Sequence, residues 1–212
     1  MINELEALSH QKHLETQIQK LQEKYPQSEF LVCDPAPQMI EVAKEKCGEH
    51  VNFQNCEIPS INEGFDLIIT SMAIQWVSDW EIWMKKIAKL ANKNALILIA
   101  TPTQGTLTFL PQAFESAQLE YRGLTYREAK YLKNSAEKFF TKVSKFTLPF
   151  SESFDSSVDF FKKIHRIGAN VEEEQLSSGQ LRKLIKECEK LKRHNILEAR
   201  YEVTFLQAHM SC

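Results

Sequence analysis

Three short apolar runs constrain this chain more than anything else in it: Phe30-Leu-Val-Cys-Asp34, Phe65-Asp-Leu-Ile-Ile-Thr70 and Ala95-Leu-Ile-Leu-Ile-Ala-Thr101. Runs this apolar and this short read as strands buried on both faces. Helical patterns separate them. That alternation is the rhythm of a parallel sheet covered by helices, an α/β fold.

The 212 residues suffice for one domain, and 43% apolar residues suffice for an ordinary core. No segment has the apolar length needed to span a bilayer. The start, Met1-Ile-Asn-Glu-Leu-Glu6, lacks the basic and apolar regions of a secretion signal. Five cysteines form no CxxC pair and no metal spacing with the histidines, so they read as reduced thiols of a cytoplasmic protein, and no metal site is expected. A formal net charge of −2 argues against a dedicated nucleic-acid binder.

Along the chain, residues 1–25 read as helical, with Leu14, Ile18, Leu21 and Tyr25 on one stripe until Pro26 ends the run. After the first strand, Pro35 and Pro37 suit a helix start. The helix that follows turns Met39, Ile40, Ala43 and Cys47 inward, and Gly48 is placed for its C-cap. Val51–Cys56 is a weak strand. Ser78-Asp-Trp-Glu81 reads as a capping box with a Val77–Ile82 staple, opening a helix whose inner face carries Trp80, Trp83, Met84, Ile87 and Leu90. Asn92-Lys-Asn94 turns the chain into the Ala95–Thr101 strand, which Pro102 is expected to stop. Helices are expected over much of 106–140, then a strand over 143–150, helices over 156–167 and 177–195 (the second opened by a Ser177-x-x-Gln180 box), and an antiparallel strand over 200–208. The count is about six strands and about six helices, in a single domain over 1–212 with a helical substrate-side insert at about 106–140 and 156–195.

Several strings in this order resemble the class I S-adenosylmethionine-dependent methyltransferases. Cys33-Asp-Pro-Ala-Pro-Gln-Met-Ile40 is similar to that class's second-strand motif, and Phe65-Asp-Leu-Ile-Ile-Thr-Ser-Met-Ala-Ile-Gln-Trp76 to its fourth-strand motif. The Ala-Ile-Gln-Trp ending resembles the malonyl-acyl carrier protein O-methyltransferases of biotin synthesis, as do Ile164-His-Arg-Ile-Gly-Ala-Asn170 and Tyr201-Glu-Val-Thr-Phe205. The resemblance covers roughly residues 14–208. It implies a Rossmann-like methyltransferase sheet with an antiparallel C-terminal strand, S-adenosylmethionine as cofactor, and an acyl carrier protein or acyl-CoA thioester as partner.

Asp34 stands at the carboxyl end of a strand, where ligands of doubly wound sheets lie. A carboxylate there accepts both hydroxyls of an adenosyl ribose; the plainer alternative is an aspartate that opens the turn before Pro35. The resemblance adds Met39, and Cys56 and Glu57, at the turn where the class offers an acid to the adenine amino group; a thiol is a weaker acceptor. Ser71, Gln75 and Trp76 close the fourth-strand motif, Ser71 toward the cofactor and Gln75 and Trp76 as the catalytic, orienting pair. A carboxylate acceptor is already nucleophilic, so the chemistry needs orientation and no strong base. Trp80 and Trp83 read as a packed helix face instead. His165 and Arg166 either meet a substrate carboxylate or are solvated cations near a helix C-terminus.

The class's first strand and its glycine-rich turn have no counterpart ahead of Gly48, the earliest glycine. That turn lets backbone approach the cofactor closely, so its absence weakens the expected affinity for S-adenosylmethionine. A central strand's removal would leave unmet backbone groups at about 1–3 kcal/mol each, against a total stability of about 5–15 kcal/mol. Three outcomes are open: the strands around Leu31 and Leu67 pair directly, a partner chain completes the sheet, or the native chain begins upstream. The expected activity is methylation of the free carboxyl of malonyl-acyl carrier protein. The alternative is a degenerate relative that has lost cofactor binding. A nucleotide-binding dehydrogenase fails on the same absent glycines.

Overall fold

The computed structural model describes residues 10–47, 51–61, 64–166 and 176–211. They fall into two compact units, residues 1–63 and residues 64–212.

The first unit runs α1 (His10–Lys24), β1 (Phe30–Cys33), α2 (Pro37–Lys46) and β2 (Val51–Gln54). Strands β1 and β2 pair in parallel, Phe30 opposite Val51 and Cys33 opposite Gln54. Ile18, Cys47 and Val51 are buried together, with Phe30, Val32 and Phe53 packed against them. Helix α2 buries Ile40 and Ala43 and half-buries Met39, so the expected inner face holds. Tyr25 lies beyond α1 and is exposed. Gly48, the expected C-cap, lies outside the described residues. Helix α2 ends where Cys47 turns to an extended backbone.

The second unit runs β3 (Phe65–Ser71), a 3-10 turn (Ile74–Trp76), α3 (Trp80–Leu90), β4 (Ala91–Thr103), α4 (Phe109–Ser116), α5 (Ala129–Ala136), β5 (Thr141–Phe154), α6 (Ser157–Arg166), α7 (Ser178–Lys190) and β6 (Leu197–His209). Its sheet has the order β3-β4-β6-β5, with β3 parallel to β4 and β6 antiparallel to both β4 and β5. The six expected strands and the antiparallel C-terminal strand are therefore present. Direct pairing of the strands around Leu31 and Leu67 is not formed: among the described residues β1 bonds β2 and β3 bonds β4.

The sheet's two faces differ. Ile97, Ile99, Leu206 and Ala208 are buried on one, while Leu96 and Leu98 are only half-buried on the other. Helix α5 packs on β5 and β6, and α3 packs on α5. A second core gathers α4, α6 and α7 around Phe160, whose ring meets Phe109, Phe154 and Phe161 edge-on at 5.2, 5.5 and 5.2 Å.

Four expectations change. Pro102 does not stop β4; it lies opposite Val203 in the β6 ladder. Strand β3 ends at Ser71, opposite Ala100, so at Pro102 the strand has β6 alone beside it and a missing donor costs little. Asn92-Lys-Asn94 is not a turn before β4 but a bulge within it, Asn94 adopting a φ of 63° and Asn92 bonding Asp66 at 2.9 Å. The N-cap of α3 is Asp79, not Ser78: its carboxylate accepts from the backbone N–H of Glu81 and Ile82 at 2.9 and 3.0 Å. With the cap at Asp79, Val77 and Ile82 no longer stand at the staple positions, and Ile82 is 57% exposed. Finally, α7 ends at Lys190, because His194 and Asn195, at φ 50° and 62°, form a tight turn closed by the Arg193–Ile196 bridge. The Ser177–Gln180 capping box is formed as expected.

Candidate functional site

In the first unit the parallel register brings the ends of β1 and β2 together. Asp34 follows β1 and is half-buried. Its Oδ1 accepts the Ala36 N–H at 2.8 Å, so one carboxylate oxygen fixes the turn into α2. Both sequence alternatives for Asp34 thus meet in one side chain: it does open the turn, and its second oxygen makes no hydrogen bond among the described residues. Asn55, which the sequence gave no reason to single out, donates from Nδ2 to the Asp34 carbonyl at 2.9 Å and ties the turn after β2 to the end of β1. Met39 is half-buried in the first turn of α2. Cys56 is half-buried and Glu57 exposed in the turn after β2.

Cys33 ends β1 beside this turn. Burial first, then the neighbouring Cys56, pushes its pKa up to about 12. Cys56 contacts the Gln54 amide oxygen through Sγ at 3.8 Å.

In the second unit the chain leaves β3 at Ser71 through Met72, which has a φ of 53° and donates its N–H to the Ala100 carbonyl at 2.8 Å. A non-glycine residue in that region is uncommon and marks a constrained turn. Gln75 holds the turn from both ends of its amide. Nε2 donates to the Met72 carbonyl at 2.7 Å, and Oε1 accepts from the Thr101 hydroxyl at 3.4 Å. Trp80 is 1% exposed and donates its indole N–H to the Ile74 carbonyl at 2.9 Å, so it and the buried Trp83 form the packed face expected. Trp76 differs: it lies in the 3-10 turn and is 47% exposed, an aromatic surface beside the end of β3.

His165 is exposed in the last turn of α6, and Arg166 ends that helix. The rest of the Ile164–Asn170 string lies outside the described residues. One turn earlier, Lys163 is already engaged in an ion pair with Glu152 and sits 6.0 Å from the Phe154 ring centroid.

After β4 the chain is bound to β6. Gly105, at φ 104°, lies so close to Glu202 that a Cβ would meet its Cγ at 2.7 Å. The Thr106 hydroxyl accepts the Glu202 N–H at 3.0 Å. Behind this turn, Thr204 links the Thr103 and Thr147 hydroxyls at 2.9 and 2.8 Å, a polar row inside the sheet.

Residues 16–97 match a family described as a methyltransferase domain. The chain is 25% identical over 207 residues to a malonyl-[acyl-carrier protein] O-methyltransferase of Acetivibrio thermocellus, covering 88% of this chain and 73% of that one. It is 27% identical over 167 residues to the protein of the same name from Bacillus cytotoxicus, covering 71% of this chain and 56% of that one. The chain thus spans little more than half the length of that second relative. Among solved structures, the YcgJ protein of Bacillus subtilis superposes with a TM-score of 0.58 at 13% identity, over 87% of this chain and 83% of that chain. The resemblance to class I S-adenosylmethionine-dependent methyltransferases therefore holds in both sequence and fold.

Proposed function

We propose that this chain is an S-adenosylmethionine-dependent O-methyltransferase whose acceptor is the free carboxyl of malonyl-acyl carrier protein, in biotin precursor synthesis in the cytoplasm. The observation that carries the reading is Asp34. A half-buried carboxylate stands at the carboxyl end of a parallel strand, one oxygen fixed by the Ala36 N–H and the other unbonded among the described residues. That donor set fits an adenosyl ribose: the unbonded oxygen accepts from a hydroxyl, and the fixed one holds the carboxylate's orientation. Met39 offers apolar contact to the adenine, and Cys56 and Glu57 line its amino edge.

When bound, S-adenosylmethionine supplies an electrophilic methyl group on a sulfonium. The chain's own task is orientation. A carboxylate acceptor needs no proton removed, so the activity rests on holding the acceptor oxygen in line. Gln75 serves this by fixing the turn after β3, with both ends of its amide engaged. Trp76 gives that turn an exposed aromatic face, and Ser71 its last strand hydroxyl. His165 and Arg166 are the proposed receivers of the acyl substrate's carboxylate. Names of relatives that share a quarter of the sequence support the malonyl substrate and the carrier-protein partner.

A second reading, a methyltransferase-like protein that no longer binds cofactor, draws on Cys56, a weak acceptor where the class uses an acid. One experiment separates them. The purified chain is titrated with S-adenosylmethionine by calorimetry, then incubated with radiolabelled cofactor and malonyl-acyl carrier protein, malonyl-CoA or acetyl-CoA. Heat of binding and label on the malonyl thioesters alone support the first reading. Binding without label rejects the malonyl acceptor, and no binding at millimolar cofactor leaves the second.

A further inference from the structure

We propose that the outer face of α7 is the docking surface for an acidic carrier protein that brings the thioester substrate. The inference rests on the proposed function and names where its protein partner sits. Arg182, Lys183, Lys186 and Lys190 are exposed on α7, and Arg193 is exposed just beyond it. Arg182, Lys186 and Lys190 follow one another at four-residue steps, so they form a stripe along one side of the helix. The two acids of α7 are half-buried and already engaged: Glu187 pairs with Lys190 at 2.7 Å, and Glu189 pairs with Lys192 at 3.0 Å while it accepts the Ser157 N–H. Arg182, Lys186 and Arg193 form no ion pair among the described residues. The whole chain has a formal net charge of −2, so this positive surface comes from segregation, not from overall composition.

Topology places the stripe. Strand β4 is parallel to β3 and antiparallel to β6, and β5 is also antiparallel to β6, so β3, β4 and β5 run the same way. Their carboxyl ends share one end of the sheet, where β3 passes into the Gln75–Trp76 turn. Helices α4 and α6 follow β4 and β5 at that end, and α7 packs on both. The chain then enters β6 at Leu197, opposite Phe154, the last residue of β5. A thioester carried on a protein reaches its site on a flexible arm. The carrier itself must therefore rest outside the site but at the same end of the molecule, as α7 does.

The occupant's chemistry follows from what α7 leaves open. Leu184 and Cys188 are buried in the core around Phe160, so the helix has no apolar face free to enter a bilayer. Leu191 and Ile196, 38% and 40% exposed, flank Arg193 as single apolar contacts. Arginine beside small apolar contacts suits a protein interface, and the unpaired cations suit an acidic one. Helix α3 also exposes Lys85, Lys86 and Lys89, but it packs on α5, which lies on the face of the sheet and not at its end.

The test measures binding of purified holo-acyl carrier protein, bearing its arm without an acyl group, to the full chain by calorimetry. The parent should bind, and more weakly as ionic strength rises. The triple variant Arg182→Glu, Lys186→Glu, Arg193→Glu should bind about tenfold or more weaker. Lys85→Glu, Lys86→Glu, Lys89→Glu, with the same charge change on α3, should bind as the parent does. No binding by the parent, equal binding by the α7 variant, or an equal loss in the α3 variant overturns the docking surface. Phosphatidylserine vesicles form a second arm: vesicle binding that the α7 reversals abolish, without carrier binding, overturns the carrier as occupant. In methylation assays the α7 variant should show a KM for malonyl-acyl carrier protein raised by the same factor. Its rate on malonyl-N-acetylcysteamine, which has no carrier, should match the parent's, and loss on both substrates rejects a docking role. The two readings fail separately. A chain that binds the carrier through α7 but transfers no methyl refutes the proposed function and leaves the docking surface standing. A chain that methylates malonyl-acyl carrier protein equally well with the stripe reversed does the opposite.

Discussion

The two units hold their strands differently. In the second, β4 is bonded on both sides, by β3 and by β6, and two cores lie against the sheet and its helices. In the first, β1 has one hydrogen-bonded neighbour over four residues, and the buried cluster among the described residues is Ile18, Cys47 and Val51. The first unit nevertheless carries the proposed ribose carboxylate. The proposed ribose contact therefore sits on the less stabilised part, where a ligand has the most to add. A ligand at a hundred times its Kd contributes about 2.7 kcal/mol, a large share of what so small a core supplies.

The contrast can be broken most readily by hydrogen exchange. Amides of Ile97 to Ile99 in β4 should exchange by orders of magnitude more slowly than those of Leu31 and Val32 in β1, because exchange follows local opening free energy. Equal protection would mean that the two units open together. Next in size is Phe160→Ala, which removes a fully buried ring with three aromatic partners. It should cost the second unit about 3–5 kcal/mol in urea unfolding; a loss under about 1 kcal/mol would show that this helical core is not what holds the unit. Thr204→Val is smaller. It leaves the Thr147 hydroxyl without its partner in the sheet and should cost about 1–2 kcal/mol.

A pH titration sharpens the comparison further. Cys33 in the first unit and Cys188 in the second both have their pKa raised from 9.0 to about 12, chiefly by burial. Burial disfavours the thiolate, so each folded pKa lies above the unfolded one. The stability linked to each thiol is complete below about pH 9 and is lost as pH climbs toward about 12. Unfolding midpoints should fall over that window. Cys33→Ser should flatten the slope for first-unit probes, and Cys188→Ala for second-unit probes. Slopes unchanged by either substitution would remove the thiols as the cause.

Much of this fold was legible along the chain because local patterns met no rival. The face Trp80, Trp83, Met84, Ile87 and Leu90 follows a helical period, and all five are buried. Ser177 and Gln180 form their box from a signal only four residues long. Where tertiary context chose between near-equal local options, sequence misled. Ser78 and Asp79 are both good caps, and the Ser78 carbonyl is held by Arg127 while Asp79 caps the helix. Pro102 stops a strand only if a neighbour needs its N–H, which depends on where β3 ends. Of the candidate site, Asp34 could be read directly because a strand's end and a carboxylate coincide. Asn55 could not, since its bond to the Asp34 carbonyl arises from the register between β1 and β2. Gln75 reads differently in space, with its amide engaged at both ends, so the Met72 turn depends on it.

The central claim is that Asp34 holds an adenosyl ribose. Calorimetric titration of the chain and of Asp34→Asn with S-adenosylmethionine tests it most directly. The substitution keeps the side chain's shape and an acceptor for the Ala36 N–H, but removes the charge from bonds worth about 1.5–3 kcal/mol each when charged. The account predicts binding by the parent chain and a loss of about tenfold to a hundredfold in the variant. Equal affinities in the two proteins would contradict it.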